Sequence, residues 1–229
     1  MSTERLALVL AGGDLPLPRL LAGLLLGVSD VIAADGGLRH AASLGVEPDL
    51  IIGDLDSVEP ELLRQYPGVP VKSHPVDKDE LDLELAIGWA LERGARRLTV
   101  IGAFGGRFDQ SVAALLIAAR HARDGVRTSL HAGAHEVRPL SGGDVAEIDL
   151  PGGTVLSLLA LDAQAVVSAS GVAFPLAATP LPFGVGLGIS NTALGGRVEV
   201  RVHAGTLALM VEHGLVDLRA GLAGQSGHG

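Results

Sequence analysis

The chain has 229 residues, 48% of them hydrophobic, and a formal net charge of −9 from 17 basic and 26 acidic residues. The acidic excess disfavours nucleic-acid binding, because phosphate neutralisation requires Lys and Arg. No cysteine is present, which excludes disulfides and thiolate metal sites. We therefore expect a soluble cytoplasmic protein with no membrane partner, since no apolar run approaches the ~20 residues that a membrane span requires.

The first half alternates short β-branched runs with segments of helical length. Strands are predicted at 6–11, 31–34, 50–52, 69–72 and 98–101, and helices at 15–26, 37–44, 59–65, 79–93 and 109–123. Strand–helix alternation of this kind favours a parallel α/β sheet that is covered by helices on both faces.

After about residue 127 the pattern changes to short alternating runs separated by glycine pairs. These runs occupy 128–132, 145–148, 154–161, 165–168, 197–202 and 206–211. No segment there is typical of a long helix, so an antiparallel β-sandwich or barrel is predicted. We expect two domains, 1–128 and 129–229.

Acidic residues follow three of the predicted strands of the first half. Asp35 follows the second strand, Asp54 and Asp56 follow the third, and Asp109 follows the fifth. In an open parallel sheet, ligands bind outside the carboxyl ends of the strands. These loops are therefore expected to open on the same edge of the sheet.

Some of these carboxylates have ordinary structural explanations. Asp35 and Asp109 could simply cap helices. Asp79 and Asp82 are predicted to share one face of a first helical turn, where the helix dipole favours acidic residues.

Asp54 and Asp56 are harder to explain without a ligand. In an extended chain, residues i and i+2 point the same way, and two unit charges about 4 Å apart repel by about 4 kcal/mol at an effective dielectric near 20. A shared cation would remove this repulsion. Oxygen-only ligands favour a hard cation, Mg²⁺ foremost.

The glycine-rich stretch GAFGGRFDQ (102–110) opens a predicted helix. Amides at a helix N-terminus attract anions, and Arg107 can bind a phosphate in a bidentate manner. The spacing of a P-loop (G-x-x-x-x-G-K-[ST]) is absent from the sequence, and AGGDLP lacks the G-x-G-x-x-G spacing of a dinucleotide site.

The motifs VLAGGDLP, ADGGLRHAASLGVEPDLIIGDLDS, DKDELDLELA and GAFGGRFDQ occur in this order, followed by VAFPL (172–176) and GLGISN (186–191). The series resembles the thiamine pyrophosphokinase family over nearly the whole chain. The resemblance implies a homodimer in which a Rossmann-like nucleotide half precedes a β-sandwich, with thiamine bound at the junction of two subunits. It also implies transfer of pyrophosphate from ATP to the thiamine hydroxyl, with release of AMP.

The resemblance also implies roles for individual residues. Asp54, Asp56 and Asp82 match the catalytic Mg²⁺ ligands. The implied ATP-binding residues are Asp35, Gly36, Asp79, Arg107, Asp109 and Gln110. The implied thiamine contacts are Phe174, Ser190 and Asn191, with Phe174 standing where the family usually has Trp or Tyr.

Departures from the family pattern leave three alternatives open. Leu81 replaces a common threonine, and the helix after GRFDQ lacks the usual asparagine. A related pyrophosphokinase could act on another hydroxymethyl acceptor such as a pterin, or the chain could be a non-catalytic nucleotide-binding relative. The stretch DLDS also resembles the nucleophile motif of haloacid-dehalogenase phosphatases. Those enzymes, however, use a lysine that lies much farther along the chain than the nucleophile motif. The two lysines here, Lys72 and Lys78, both lie close to it.

Overall fold

The computed structural model describes residues 4–16, 18–75, 77 and 79–213, so Lys78 lies outside the described residues. The chain is a mixed α/β protein with parallel and antiparallel sheets. It forms two compact units. Unit 1 contains the described residues up to Ala114 together with Leu130–Gly133, and unit 2 contains Leu115–Ser129 and the described residues from Ala134 onward. The domain boundary at 128/129 stays a prediction.

Unit 1 contains the parallel strands, as the alternation of strand and helix predicts. They are β1 (Arg5–Leu10), β2 (Val28–Ala34), β3 (Leu50–Gly53), β4 (Val71–Ser73) and β5 (Ala95–Ile101), in the spatial order β4-β3-β2-β1-β5. The α-helices are α1 (Arg39–Leu44), α2 (Pro60–Leu63), α3 (Asp82–Glu92) and α4 (Phe108–Arg123), and two 3₁₀ segments span Pro18–Leu25 and Asp35–Leu38. None of the helices in the described residues is long and apolar enough to cross a membrane.

Burial explains why the central strands are so apolar. Five of the six β1 residues and all four β3 residues are buried. A strand buried on both faces has no reason to alternate polar and apolar residues. The parallel pairing places Ala34, at the end of β2, beside Ile52 of β3, so the chain leaves both strands at neighbouring points.

Unit 2 is antiparallel. After β6 (Arg127–Ala132), which has residues in both units, its strands are β7 (His135–Ser141), β8 (Val145–Leu150), β9 (Val155–Ala160), β10 (Gln164–Ser170), β11 (Leu176–Pro182), β12 (Asn191–Thr192), β13 (Gly196–Ala204) and β14 (Thr206–Glu212), and a 3₁₀ segment spans Gly186–Gly188. They form the runs β7-β14-β9-β12 and β8-β13-β10-β11. Buried side chains from both runs, among them Leu158, Val167, Val200 and Leu209, share one core.

Several elements of the structure differ from the prediction. The segment predicted as a helix at 15–26 contains a 3₁₀ helix over Pro18–Leu25, where Pro16, Pro18 and Gly23 disfavour a regular α-helix. The helix predicted from residue 79 begins at Asp82, because Leu81 is extended (φ −72°, ψ 150°) and acts as the N-cap. The prediction that Asp79 and Asp82 share a helical face is therefore wrong. The strands β7, β11 and β12 were not predicted; β11 contains two prolines and lies at the edge of its sheet, where proline is tolerated.

A buried carboxylate in β2 stabilises unit 1 away from the strand ends that carry the acidic loops. The Asp30 side chain is 1% exposed. Its Oδ1 accepts hydrogen bonds from Arg5 Nη2 (2.8 Å) and Arg93 Nε (2.9 Å), and its Oδ2 accepts one from Arg5 Nε (2.5 Å). The Arg5 hydrogen bond, followed by the one from Arg93, holds the pKa of Asp30 below its ordinary value.

We predict that Asp30→Asn lowers the free energy of unfolding at neutral pH by about 2 kcal/mol, because an amide accepts weaker hydrogen bonds and cannot neutralise two guanidinium groups. The lowered pKa means that the Asp30 contribution is fully present above the ordinary carboxyl pKa of ~3.9 and is lost as pH falls through the folded-state pKa. Urea unfolding of both proteins from neutral pH to about pH 3 measures this difference.

Glu61→Gln is the control, because Glu61 and Arg64 form an ion pair on the surface of α2 with both side chains largely exposed. Such pairs contribute at most about 1 kcal/mol. A difference between wild type and Asp30→Asn that does not shrink on acidification would show that the Asp30 charge is not what stabilises unit 1.

Candidate active site

The ends of β2 and β3 bring two acidic segments together. Asp35 follows β2 directly, and Asp54 follows Gly53 at the end of β3. Asp82 joins them from the first position of α3. Each of these three residues offers a carboxylate oxygen, and the three oxygens lie within 4.8 Å of one another. The strand order predicted the convergence of Asp35 and Asp54, the family resemblance added Asp82, and the structure brings all three to one place.

Gly53 makes this convergence sterically feasible. A Cβ atom at this position would lie 3.0 Å from Asp35 Cβ and 3.2 Å from Asp82 Cγ. Its φ of +148° is also a conformation that residues with side chains rarely adopt. A larger residue at position 53 would therefore push the carboxylates apart.

The Asp35 carboxylate is only partly satisfied by the protein. Its Oδ2 accepts a hydrogen bond from the Ser57 hydroxyl, whereas its Oδ1 is buried and has no hydrogen-bond partner among the described residues. A buried carboxylate oxygen without a proton donor is unfavourable. Three close carboxylates with such an oxygen fit a hard divalent cation with oxygen ligands, such as Mg²⁺.

Asp56 lies on the exposed side of this cluster. Its backbone N–H donates to Asp54 Oδ1 at 3.1 Å. The pKa of Asp56 is raised, first by a side-chain hydrogen bond to Asp54 and then by the negative charge of that group, with smaller contributions from Asp35 and Asp82. Asp56 thus experiences the charge of all three neighbouring carboxylates. Its role as a metal ligand stays a prediction.

These carboxylates line a cleft of about 530 Å³ within unit 1, a volume within the usual range of a small-ligand site. The cleft is also lined by Gly36, by Arg39 and Arg107, and by Gln110 of α4. Negative charge from the aspartates and positive charge from the two arginines therefore face the same space. A metal–phosphate ligand has this combination of charges.

Arg39 and His40 hold the loop after β1 against the cleft. Arg39 Nη2 donates to the carbonyl oxygens of Gly12 and Gly13, the second at 3.0 Å. His40 Nε2 lies 2.9 Å from the Gly13 oxygen, so Nε2 carries the proton. Burial is the main cause of a lowered pKa for His40. The imidazole therefore serves as a neutral hydrogen-bond donor.

The third cleft-lining segment is the loop before α4. Arg107 Nη2 and Nε contact Asp109 Oδ2 and Oδ1 at 2.6 and 3.1 Å, and this pairing lowers the pKa of Asp109. Both side chains are exposed. Arg107 and Gln110 line the cleft, whereas Asp109 does not belong to its lining and instead orients Arg107. The N-terminus of the 16-residue helix α4 adds backbone N–H groups, which favour anions.

Two side chains that hold parts of the cleft, Ser57 and Arg39, were not predicted from the sequence. Ser57 stands next to Asp56 in the DLDS stretch, and Arg39 follows Asp35 by four residues, so local spacing could have suggested both. Asp79 was predicted as a nucleotide contact; it is exposed, precedes α3 and is not among the residues that line the cleft.

The three residues that were predicted to contact thiamine lie in unit 2. Phe174 is 69% exposed, Ser190 is exposed with φ +57°, and Asn191 is 5% exposed. Asn191 Oδ1 accepts from the N–H of Phe174 at 3.0 Å, and its Nδ2 donates to the Phe174 oxygen at 2.7 Å. Phe174 and Ser190 therefore present groups to solvent, while the Asn191 amide is occupied by the backbone.

Comparison with known proteins identifies a family that part of the chain resembles. Residues 24–130 match the family model described as thiamin pyrophosphokinase, catalytic domain. A thiamine pyrophosphokinase of Bacillus subtilis (strain 168) is 35% identical over 80 residues, which cover 34% of this chain and 37% of that protein. The aligned stretch is thus well under two thirds of the relative's length.

Solved structures extend the similarity to the fold of most of the chain. A thiamine pyrophosphokinase from Bacillus subtilis has a TM-score of 0.81 at 23% identity, covering 93% of this chain and all of that one (100%). The thiamin pyrophosphokinase from Candida albicans has a TM-score of 0.76 at 16% identity, covering 91% of this chain and 90% of its own. At these identities the structures establish a shared fold, and the family model matches the stretch that contains most of the residues lining the cleft. Residues 24–130 are therefore similar to the catalytic domain of the thiamin pyrophosphokinase family.

Proposed function

We propose that the chain is an Mg²⁺-dependent thiamine pyrophosphokinase, a transferase that moves pyrophosphate from ATP to the thiamine hydroxyl and yields thiamine diphosphate and AMP. The observation that carries this proposal is the convergence of Asp35, Asp54 and Asp82 within 4.8 Å in a cleft that two arginines also line. The cleft belongs to the part of the chain that matches the catalytic-domain family.

The carboxylates would hold the metal. Asp35, Asp54 and Asp82 supply three mutually close oxygens, and Asp56 stands beside them. Two unit charges 4.8 Å apart repel by about 3 kcal/mol at an effective dielectric near 20. Cation binding would therefore relieve a repulsion that the fold imposes on these carboxylates. When bound, Mg²⁺ supplies positive charge that neutralises phosphate oxygens and polarises the phosphorus under attack.

Other cleft residues would bind and orient the triphosphate. Arg39 is fixed by the carbonyl oxygens of Gly12 and Gly13, and Asp109 orients Arg107. Fixed guanidinium groups hold phosphate oxygens with little loss of entropy on binding. Gly36 and Gln110 line the same cleft. Gln110 lies in the first turn of α4, where backbone N–H groups favour anions. Asp79 stays a sequence-based prediction for a nucleotide contact.

The acceptor side of the proposal rests on unit 2. Its two antiparallel runs share one core, which supports the interpretation of unit 2 as a β-sandwich, and the parallel sheet of unit 1 supports a Rossmann-like nucleotide half. We assign thiamine recognition to Phe174, Ser190 and Asn191, as predicted from the sequence. A cytoplasmic location also stays a prediction.

We further propose that the chain forms a homodimer. Residues 183–194 of unit 2 expose Phe183, Val185, Leu187, Ile189 and Leu194, each between 45% and 68%. A contiguous segment with this much exposed apolar surface is typical of an interface. A second copy of the chain is the occupant that the family resemblance implies.

Thiamine is the proposed acceptor, and a different hydroxymethyl acceptor is the second candidate. Leu81, which replaces a common threonine, lines the cleft and is 39% exposed, so one polar contact of the family pattern is missing. Incubation with ATP, Mg²⁺ and either thiamine or a hydroxymethylpterin, with identification of the nucleotide product, tests both. AMP formed only with thiamine supports the proposal. ADP, or AMP formed only with the pterin, contradicts it.

We predict that Asp54→Asn or Asp56→Asn reduces AMP formation by about 100-fold or more, because each removes charge that holds the cation against the triphosphate. Both variants should remain folded. Asp54→Asn should raise the melting temperature measured without Mg²⁺, since it relieves repulsion within the cluster. Steady-state assays and thermal unfolding with and without Mg²⁺ measure these effects.

The control for the aspartate variants is Asp124→Asn, which changes an exposed carboxylate after the end of α4. It should leave both the rate and the response to Mg²⁺ unchanged. Near-normal AMP formation by the Asp54 or Asp56 variant would contradict the assignment of the metal site.

We predict that Leu187→Asp converts the dimer into a monomer, because a buried charge without a partner weakens association strongly, by about 100-fold for a cost near 3 kcal/mol. Analytical ultracentrifugation over a range of protein concentrations measures the dissociation constant. Leu26→Asp in unit 1 is the matched control, since Leu26 is 60% exposed and Leu187 is 57% exposed. A wild type that sediments as a monomer, or a Leu26→Asp variant that dissociates equally, would disprove this interface.

A further inference from the structure

Asn191, the single asparagine of the chain, commits its side chain to the backbone of another loop. Its Oδ1 accepts hydrogen bonds from the N–H groups of Phe174 (3.0 Å) and Thr192 (2.9 Å). Its Nδ2 donates to the Phe174 carbonyl oxygen at 2.7 Å. Both backbone polar groups of Phe174 are thus bound by one amide, which is itself buried.

The same two segments are also joined through their backbones. Ala173 N–H donates to the Thr192 oxygen at 2.8 Å, and Leu194 N–H donates to the Gly171 oxygen at 2.9 Å. Between these bonds, Val172 and Ala193 form an antiparallel bridge. Asn191 therefore continues this pairing by one residue and fixes the backbone of Phe174, where the paired segment ends.

The Phe174 ring is exposed even though its backbone is fixed. It is 69% exposed, so burial in the core does not explain the two hydrogen bonds that hold its backbone. An exposed aromatic ring on a fixed backbone loses little conformational entropy when it stacks against a flat ligand.

Ser190, the neighbour of Asn191, is fixed in a similar way. Its φ of +57° is left-handed, which costs about 1 kcal/mol for a residue with a side chain. The Ser157 hydroxyl accepts its N–H at 3.0 Å. Strain of this kind persists where the surroundings hold it, and it is concentrated at functional sites. Asn191 and Ser157 thus fix the backbones of Phe174 and Ser190 respectively.

We propose that Asn191 is a positioning residue for acceptor recognition: it holds the Phe174 ring for stacking on the planar heteroaromatic ring of the acceptor and does not donate its own amide to the acceptor. This inference rests on the proposed function, because it takes thiamine as the acceptor. It refines the sequence-based assignment of Asn191 as a direct contact, since its Oδ1 accepts two backbone N–H groups, its Nδ2 donates to the Phe174 oxygen, and the residue is only 5% exposed.

A double-mutant cycle tests the inference. Asn191→Asp keeps the shape and one acceptor oxygen but replaces the Nδ2 donor by an oxygen that repels the Phe174 carbonyl, and Phe174→Leu removes the ring. Each single change should raise the KM for thiamine by about tenfold, the value of one stacking contact, with little change in kcat or in the KM for ATP. In the Phe174→Leu background, Asn191→Asp should raise the KM for thiamine by less than about twofold more, because the effects of coupled residues are not additive.

Additional measurements make the outcome decisive. Thr192→Ser, which removes one methyl group beside Asn191, is the control and should leave the KM for thiamine unchanged. Asn191→Ser replaces Asn191→Asp if the aspartate variant does not fold, as judged by thermal unfolding. Calorimetric titration with thiamine provides a binding constant that does not depend on turnover.

The outcomes separate the two proposals. A wild type that binds thiamine but forms no AMP would contradict the proposed transfer reaction. The double-mutant cycle would then be evaluated from the binding constants. Additive effects, in which Asn191→Asp weakens binding equally with and without the Phe174 ring, overturn the positioning role alone. A wild type that neither binds nor converts thiamine overturns both.

Discussion

Mutual repulsion among carboxylates at the end of the parallel sheet is the constraint on which the rest of unit 1 depends. The fold holds Asp35, Asp54 and Asp82 together although like charges favour separation. Gly53 leaves room for them, and Asp35 and Leu55 adopt left-handed φ values of 45° and 65°, each of which costs about 1 kcal/mol or more. This costly arrangement supports our proposal that a cation joins the carboxylates and carries a phosphorylated substrate.

The positions of these aspartates could be predicted from the sequence because parallel strands impose them. Once β2 and β3 are recognised as neighbouring buried strands, Asp35 and Asp54 must emerge at the same edge. The position of Asp82 depended on the start of α3, which the sequence placed three residues too early. Leucine is a poor N-cap residue. The Glu84 side chain compensates by accepting the Leu81 N–H at 3.2 Å, a contact that helix propensities do not predict. Arg39 and Ser57 were missed because their roles depend on contacts between loops.

Unit 2 illustrates a different limit of sequence-based prediction. Alternating runs predicted several antiparallel strands correctly, but β7, β11 and β12 were missed, and β7 and β11 contain prolines, which disfavour a strand by composition. The SN pair was assigned to ligand contact from resemblance alone. In the structure, Ser190 is exposed while Asn191 binds the backbone of Phe174. A motif therefore identifies residues that matter at a site, but only coordinates separate those that present groups to a ligand from those that hold another residue in place.

Mn²⁺ binding measured by electron paramagnetic resonance shows directly whether the clustered carboxylates hold a divalent cation, as we propose. The titration is performed without nucleotide on the wild type and on Asp35→Asn, which removes the carboxylate whose buried Oδ1 has no hydrogen-bond partner among the described residues. We expect that the wild type binds Mn²⁺, that Mg²⁺ competes for the same site, and that Asp35→Asn weakens binding by about tenfold or more. Equal Mn²⁺ affinity in the two proteins, or no binding by the wild type, would contradict this proposal.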